Sequence, residues 1–105
     1  MMSEFASVTV VREANIYFNG AVASHTVLFS DGTKKTLGVM QPGEYTFNTD
    51  APELMEILTG ELDLQLAGEN GWRRIGGGQS FEVAGNSSFT MKVQKVSDYC
   101  CSFLA

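Results

Sequence analysis

Leu62-Asp63-Leu64-Gln65-Leu66 alternates apolar and polar residues without a break, and the same period of two returns at Phe81/Val83, Phe89/Met91/Val93 and Tyr99/Cys101/Phe103. Successive side chains of a strand point to opposite faces, so this spacing commits each run to a strand with one face in a core. Asp31-Gly32, Pro42-Gly43, Asn70-Gly71 and Gly85-Asn86 punctuate the chain. Asp-Gly and Asn-Gly accept the positive φ values of tight hairpin turns. Short alternating strands with a turn signal every ten residues or so predict an all-β sandwich or barrel. No internal repeat or low-complexity tract breaks the pattern.

The chain is long enough for one domain and too short for two, at 105 residues. Leu, Ile, Val and Phe make up 27 of them, enough to build a core and to exclude a wholly disordered chain. The net charge of −5 at pH 7 comes without any basic cluster. That leaves no electrostatic footprint for nucleic-acid phosphates or an anionic membrane surface. No apolar run approaches the ~20 residues of a membrane span.

Met1 to Ser7 has neither a basic n-region nor an apolar h-region, so no signal peptide is expected there. Cys100 and Cys101 are the only cysteines and are adjacent. On a strand they point to opposite faces, which disfavours a disulfide between them. Two free thiols without an export signal predict a reducing cytoplasm. A four-ligand zinc site of Cys and His cannot be assembled from two cysteines and one histidine.

One segment has two readings. Asp50-Ala51-Pro52-Glu53-Leu54-Met55-Glu56-Ile57-Leu58 carries a capping-box spacing at Asp50 and Glu53, an early proline and apolar residues at 54, 57 and 58, which together open a helix. Gly60 would end that helix after little more than two turns, too short to stand without packing. The alternative is a strand.

Two stretches resemble the paired motifs of the cupin superfamily, small jelly-roll barrels also described as double-stranded β-helices. The first runs from Gly38 through Gly43-Glu44-Tyr45-Thr46-Phe47-Asn48-Thr49 and Glu53 to Gly60; the second runs from Gly78 through Phe81, Val83 and Gly85 to Phe89. A typical cupin has two histidines two apart, then a glutamate, then a glycine seven further on, a spacing that Glu53 and Gly60 keep. This register makes residues 53–58 a strand. Phe47 and Thr49 stand at the two histidine positions, the second-motif histidine falls near Ser88, and the one histidine, His25, lies outside both motifs. A glutamate with a threonine hydroxyl is a poor transition-metal site. The resemblance therefore implies a metal-free cupin, residues 14–105 forming a single barrel and residues 1–13 an N-terminal extension or edge strand.

A closer resemblance is carried by Asn15-Ile16-Tyr17-Phe18-Asn19-Gly20, Gly38-Val39-Met40, Gly43-Glu44-Tyr45-Thr46-Phe47, Pro52-Glu53, Trp72, Ser87, Phe89 and Tyr99 to Cys101. Together these are similar to the small pyrimidine/purine nucleoside phosphorylase family over about residues 14–104. The resemblance implies reversible, metal-independent phosphorolysis of diverse purine and pyrimidine nucleosides to free base and α-D-ribose 1-phosphate. It implies no cofactor, inorganic phosphate serving as co-substrate.

Such chemistry suits these residues. Phosphate is itself the nucleophile, so the protein supplies position, an anion site, and stabilisation of a cationic sugar and an anionic base. Breadth across both base classes favours aromatic stacking over edge-on hydrogen bonds, because a site built on base edges rejects the other class. Strand parity turns Tyr45, Phe47 and Thr49 inward with Glu53 and Met55, and Tyr99 and Cys101 from the last strand. Tyr45 and Phe47 either stack on a base or pack the core. Thr49 is a candidate catalytic hydroxyl or one bonded to backbone. Glu53 is the principal catalytic candidate, since an inward carboxylate is costly unless it is paired, wet or in use.

Glu44 has the opposite parity, with a rim position as default and a ribose contact as the other reading. Lys34, after the Asp31-Gly32 turn, is the candidate phosphate ligand at the barrel mouth, against the plainer reading of a solvated hairpin lysine. Arg73 and Arg74 offer a donor fork. Gly76-Gly77-Gly78 lacks the helix and Lys-Ser/Thr of a phosphate loop and reads as a connection. His25 reads as surface, Cys101 as a small buried hydrophobe, and Met40, Met55 and Met91 as core. The rival function is a non-catalytic metal-free cupin that binds a small molecule; a metal-dependent oxygenase or isomerase is disfavoured by the histidine count. A homodimer is expected to cover exposed sheet edges, with Asn15–Gly20 as its contact.

Overall fold

Among the described residues, 3–104, the computed structural model has nine strands: β1 (Thr9–Val10), β2 (Asn15–Tyr17), β3 (Val22–Leu28), β4 (Lys34–Met40), β5 (Gly43–Asn48), β6 (Glu53–Leu66), β7 (Arg73–Gly76), β8 (Gln79–Val83) and β9 (Ser88–Phe103). A 3-10 turn at Phe18–Gly20 joins β2 to β3. Met1, Met2 and Ala105, which fall in the expected extension and barrel end, lie outside the described residues.

β6 and β9 are long enough to serve two sheets each. Their first and last portions pair as Glu53↔Phe103 through Thr59↔Asp98, and again as Leu62↔Val93 through Leu66↔Phe89. The C-terminal half of β9 also takes β4, which carries β3 with β1 and β2, while the N-terminal half of β6 takes β8. At the other end β9 pairs with β5 and β6 with β7. The result is two antiparallel sheets that share their central strands, a jelly-roll barrel.

The change of sheet is made at Gly60, where the β6–β9 register shifts between Ile57 and Leu62. Gly60 has φ +109°, and a β-carbon there would lie 2.1 Å from Ser97 Oγ and 2.6 Å from Ser97 Cα. Ser97 Oγ accepts from the Glu61 N–H at 3.1 Å and donates to the Lys95 carbonyl at 2.8 Å. It thereby satisfies backbone groups that the bulge takes out of the ladder.

The segment open between helix and strand is strand from Glu53 onward. Its apolar residues serve the pleat: Met55 and Ile57 are buried, while Leu58 is exposed. The capping box fails because Asp50 does not start a helix; its carbonyl accepts from the Asn86 N–H at 3.0 Å, tying the β5–β6 loop to the β8–β9 loop.

Leu62, Leu64, Phe81, Val83, Phe89, Met91, Val93, Tyr99 and Cys101 are all in the core, joined by Val22, Met40, Tyr45, Met55, Ile57 and Ile75 from both sheets. Met40, Met55 and Met91 are buried as expected. Alternation is lost at Tyr99–Ser102, where four consecutive residues are buried. The outer face there lies beneath the amino-terminal segment: Ser3, Glu4 and Phe5 line a crevice with Lys35, Leu37, Glu56 and Cys100. Phe5 packs edge-on to Phe29 at 5.1 Å. His25 is exposed, with Nδ1 at 3.3 Å from the Val11 carbonyl oxygen.

Candidate active site

Between the two sheets lies a cavity of about 180 Å³ lined by Tyr17, Ser24, Thr36, Phe47, Asn48, Glu53, Met55, Phe89, Met91, Tyr99, Cys101 and Phe103. Register decides who lines it. Ser24 follows Val22 by two on β3, Thr36 precedes Gly38 and Met40 on β4, and Glu53 precedes Met55 and Ile57 on β6. In each case the polar residue continues an inward row whose next members are core residues.

The aromatic wall is continuous. Phe47 lies against Phe89 with centroids 5.8 Å apart, and Tyr17 and Phe18 meet Phe47 edge-on at 5.5 and 5.4 Å. Phe81 extends the cluster behind Phe89 at 5.9 Å. These are the offset and edge-to-face geometries that the ring quadrupole favours.

Glu53 is the one acidic group in the lining. Partial burial raises its carboxyl above the ordinary value of 4.5, with a smaller push from Asp50; the Cys101 thiol opposes this by donating to Glu53 Oε1 at 3.5 Å. Cys101 itself is pushed well up by burial and by the neighbouring carboxylate. It remains a thiol, hence a donor to Glu53 and no nucleophile. Tyr99 is pushed up to about 12, chiefly by burial. Its ring is accommodated by Gly38, its partner across β4 and β9: a β-carbon on Gly38 would lie 2.6 Å from the phenol ring.

Of the residues expected from sequence to form the site, Phe47, Glu53 and Tyr99 come together in this cavity. Lys34 stands at its edge. It is two residues before Thr36 on the inward face of β4, and its ammonium lies over the Phe103 ring at 5.2 Å from the centroid. Lys35 faces the other way, over Phe5 and Phe29.

Three of the expected residues lie outside the cavity lining. Tyr45 is buried in the core, its hydroxyl donating to the Gln41 carbonyl at 2.7 Å and its ring against Phe18, away from the cavity lining. Thr49 Oγ1 donates to the Ala84 carbonyl at 2.6 Å and accepts from the Ser87 N–H at 3.0 Å. That hydroxyl fastens one loop to another and is outside the lining. Glu44 is exposed on β5, opposite Lys92 on the outer side of the sheet. Parity had the correct sense for Tyr45 and Thr49, but each hydroxyl meets backbone first.

Ser24, Thr36 and Tyr17 join the lining beyond the residues that sequence points to. Ser24 and Thr36 were legible as hydroxyls at inward positions of strands whose other inward residues are apolar. Arg74 is taken by Asp63 at 2.7 Å and Glu61 at 3.2 Å on the outer face. Trp72 lies 4.0 Å below the Lys92 ammonium.

A transition metal does not fit this lining. At the ligand positions of a metal-binding cupin stand the Phe47 ring, a Thr49 hydroxyl engaged with backbone, and Ser88, leaving Glu53 with only the Cys101 thiol beside it. Among the described residues no three His, Cys, Asp or Glu side chains converge as a metal site would need.

The architecture matches a crystal structure of an RmlC-like cupin from Shewanella frigidimarina with a TM-score of 0.70 at 14% identity, over 96% of this chain and 86% of that one. A crystal structure of a protein of unknown function from Acinetobacter sp. ADP1 aligns with a TM-score of 0.93 at 46% identity, over 96% and 98% of the two chains. The fold is thus that of a cupin, here with the motif glutamate in an aromatic-walled cavity and with Phe47, Thr49 and Ser88 at the histidine positions. Residues 12–103 match the pyrimidine/purine nucleoside phosphorylase family. A pyrimidine/purine nucleoside phosphorylase from Trichlorobacter lovleyi is 86% identical over 99% of this chain and all of its own length. The chain belongs to the pyrimidine/purine nucleoside phosphorylase family, and is an enzyme.

Proposed function

We propose that the protein cleaves purine and pyrimidine nucleosides with inorganic phosphate, reversibly and without a metal, to free base and α-D-ribose 1-phosphate. The observation that carries this reading is the single carboxylate of Glu53 inside an aromatic-walled cavity. In phosphorolysis a phosphate oxygen forms a bond to the anomeric carbon while the bond from that carbon to the base nitrogen breaks, its electron pair leaving with the base. Positive charge develops on the sugar, and a partly desolvated carboxylate stabilises such charge more strongly than one in water.

The division of the cavity follows from charge. A cavity of about 180 Å³ is below the ~300–1,000 Å³ of sites that engulf a drug-sized ligand, so part of a nucleoside is enclosed and the remainder lies at the mouth. Phe47, Phe89 and Tyr17 offer faces that stack on either class of base. Glu53 takes the sugar. Phosphate takes the mouth, where Lys34 is held over Phe103 and where an anion stays in contact with solvent.

The test is phosphate dependence. Protein treated with a chelator is incubated with uridine or adenosine, with and without inorganic phosphate, and base and ribose 1-phosphate are separated by chromatography. Release of both bases only with phosphate supports the reading. Release without phosphate would make the protein a hydrolase, and no release would make it a binding module.

A homodimer would use the strip of Ile16 and Val39, exposed and aligned through Ala23 across β2, β3 and β4, and sedimentation measures it. Residence in the cytoplasm accords with two free cysteines.

A further inference from the structure

The proposed reaction leaves negative charge on the departing base, and Glu53 cannot help there, since a carboxylate repels an anion. The geometry points to Tyr99 as the catalytic residue that donates a hydrogen bond to the leaving base, with Ser24 and Asn15 as the residues that position its proton. This inference rests on the phosphorolytic reading and deepens it.

Four observations support the assignment. Tyr99 and Ser24 both line the cavity, and both are cross-strand partners of Gly38, one on either side of a residue with no side chain. Asn15 Nδ2 donates to Ser24 Oγ at 3.2 Å and to Thr26 Oγ1 at 3.2 Å. With one lone pair of Ser24 so occupied, its own hydrogen is free to go to the phenol oxygen, which turns the phenolic hydrogen toward the cavity. Burial keeps the phenol protonated far above neutral pH, so the donor is present throughout the working range.

Position agrees with the charge argument. Glu53 pairs with Phe103, and Ile57, four residues along β6, pairs with Tyr99. At ~3.3 Å per residue this sets the two backbone positions about 13 Å apart along the strands, with Glu53 toward the mouth and Tyr99 inside. A phenol also suits a broad enzyme. A single rotatable O–H reaches the carbonyl oxygen of a pyrimidine or a ring nitrogen of a purine without requiring a matched edge.

The step needs no transfer of the phenolic proton. The electron pair of the broken carbon–nitrogen bond stays on the base, the hydrogen bond shortens as that charge grows, and solvent protonates the free base after release.

The experiment compares uridine with 5-fluorouridine, whose base is the stronger acid and leaves with less assistance. For Tyr99→Phe, kcat/KM for uridine is expected to fall roughly 100- to 1,000-fold, the range for loss of one donor to developing negative charge. The loss for 5-fluorouridine should be about tenfold smaller. Ser24→Ala should show the same inequality at lower amplitude, and it serves alone if Tyr99→Phe does not fold. Equal losses on both substrates, or none, would overturn the role of Tyr99 while leaving the phosphorolytic reading intact. Absence of phosphate-dependent release by the unmodified enzyme would overturn both.

Discussion

Tyr99 occupies the space that a side chain on Gly38 would fill: the two residues face each other across β4 and β9, and a β-carbon on Gly38 would stand 2.6 Å from the phenol ring and 2.7 Å from the Ala23 carbonyl oxygen. The tyrosine enters the cavity because its cross-strand neighbour has no side chain.

Gly38→Ala therefore displaces the Tyr99 ring or splays β3 from β4. Overpacking of this kind costs about 1–3 kcal/mol, and the expected outcome is a lowered denaturation midpoint together with loss of most activity. Denaturant titration and steady-state kinetics check it. A variant that keeps full activity would mean that the ring can move without consequence.

Glu53→Gln should abolish most turnover and at the same time stabilise the protein at neutral pH. Burial raises the folded-state value of this carboxyl above the ordinary 4.5. Its contribution to stability is then full below about 4.5 and is lost as pH rises through the raised value, where the buried group must ionise. The amide escapes that penalty. Melting temperatures of wild type and variant are expected to coincide at acid pH and to separate in favour of glutamine above it. Wild-type kcat/KM should fall as pH descends through the same raised value, because the charged form is the working one.

Thr49→Val tests a residue whose motif position suggests catalysis and whose contacts indicate otherwise. It removes the donor to Ala84 and the acceptor for Ser87, which costs about 1–3 kcal/mol for the buried groups left unpaired. Thr49→Ser should recover most of the loss. Both variants are expected to keep the wild-type kcat at a temperature where they are folded, measured beside their unfolding midpoints.

Lys34→Ala should raise KM for phosphate roughly tenfold, the equivalent of about 1.4 kcal/mol, with a smaller effect on KM for the nucleoside. Lys35→Ala, on the opposite face and over Phe5 and Phe29, should leave both constants unchanged and lower stability slightly. Equal effects of the two substitutions would point to general electrostatics.

The strands were legible because period two is a property of neighbouring residues. Leu62 and Leu64, or Phe89, Met91 and Val93, declare their inward face without help from the rest of the chain. Glu53 was legible for the same reason, once its segment was read as a strand. What local sequence does not carry is the nearest partner of an inward polar group. Tyr45, Thr49 and Tyr99 share an inward parity, yet the first two find the Gln41 and Ala84 carbonyls while Tyr99 faces the cavity. Those carbonyls are set by turns and by a loop 35 residues away. Asn15, Ser24 and Tyr99 form one group only after β2, β3, β4 and β9 are laid side by side.

The sharing of β9 between both sheets has a consequence for how the chain is made. A nascent chain emerging from the ribosome has β4, β5 and β6 exposed before their common partner, residues 88–103, exists. Neither sheet can close, and the cavity has no Tyr99 wall, until that last strand arrives; most pairings are then long-range, which slows folding. Closure of this barrel is therefore expected to be a single event once residues 88–103 have emerged, with open strand edges exposed in the interval and in need of protection from one another.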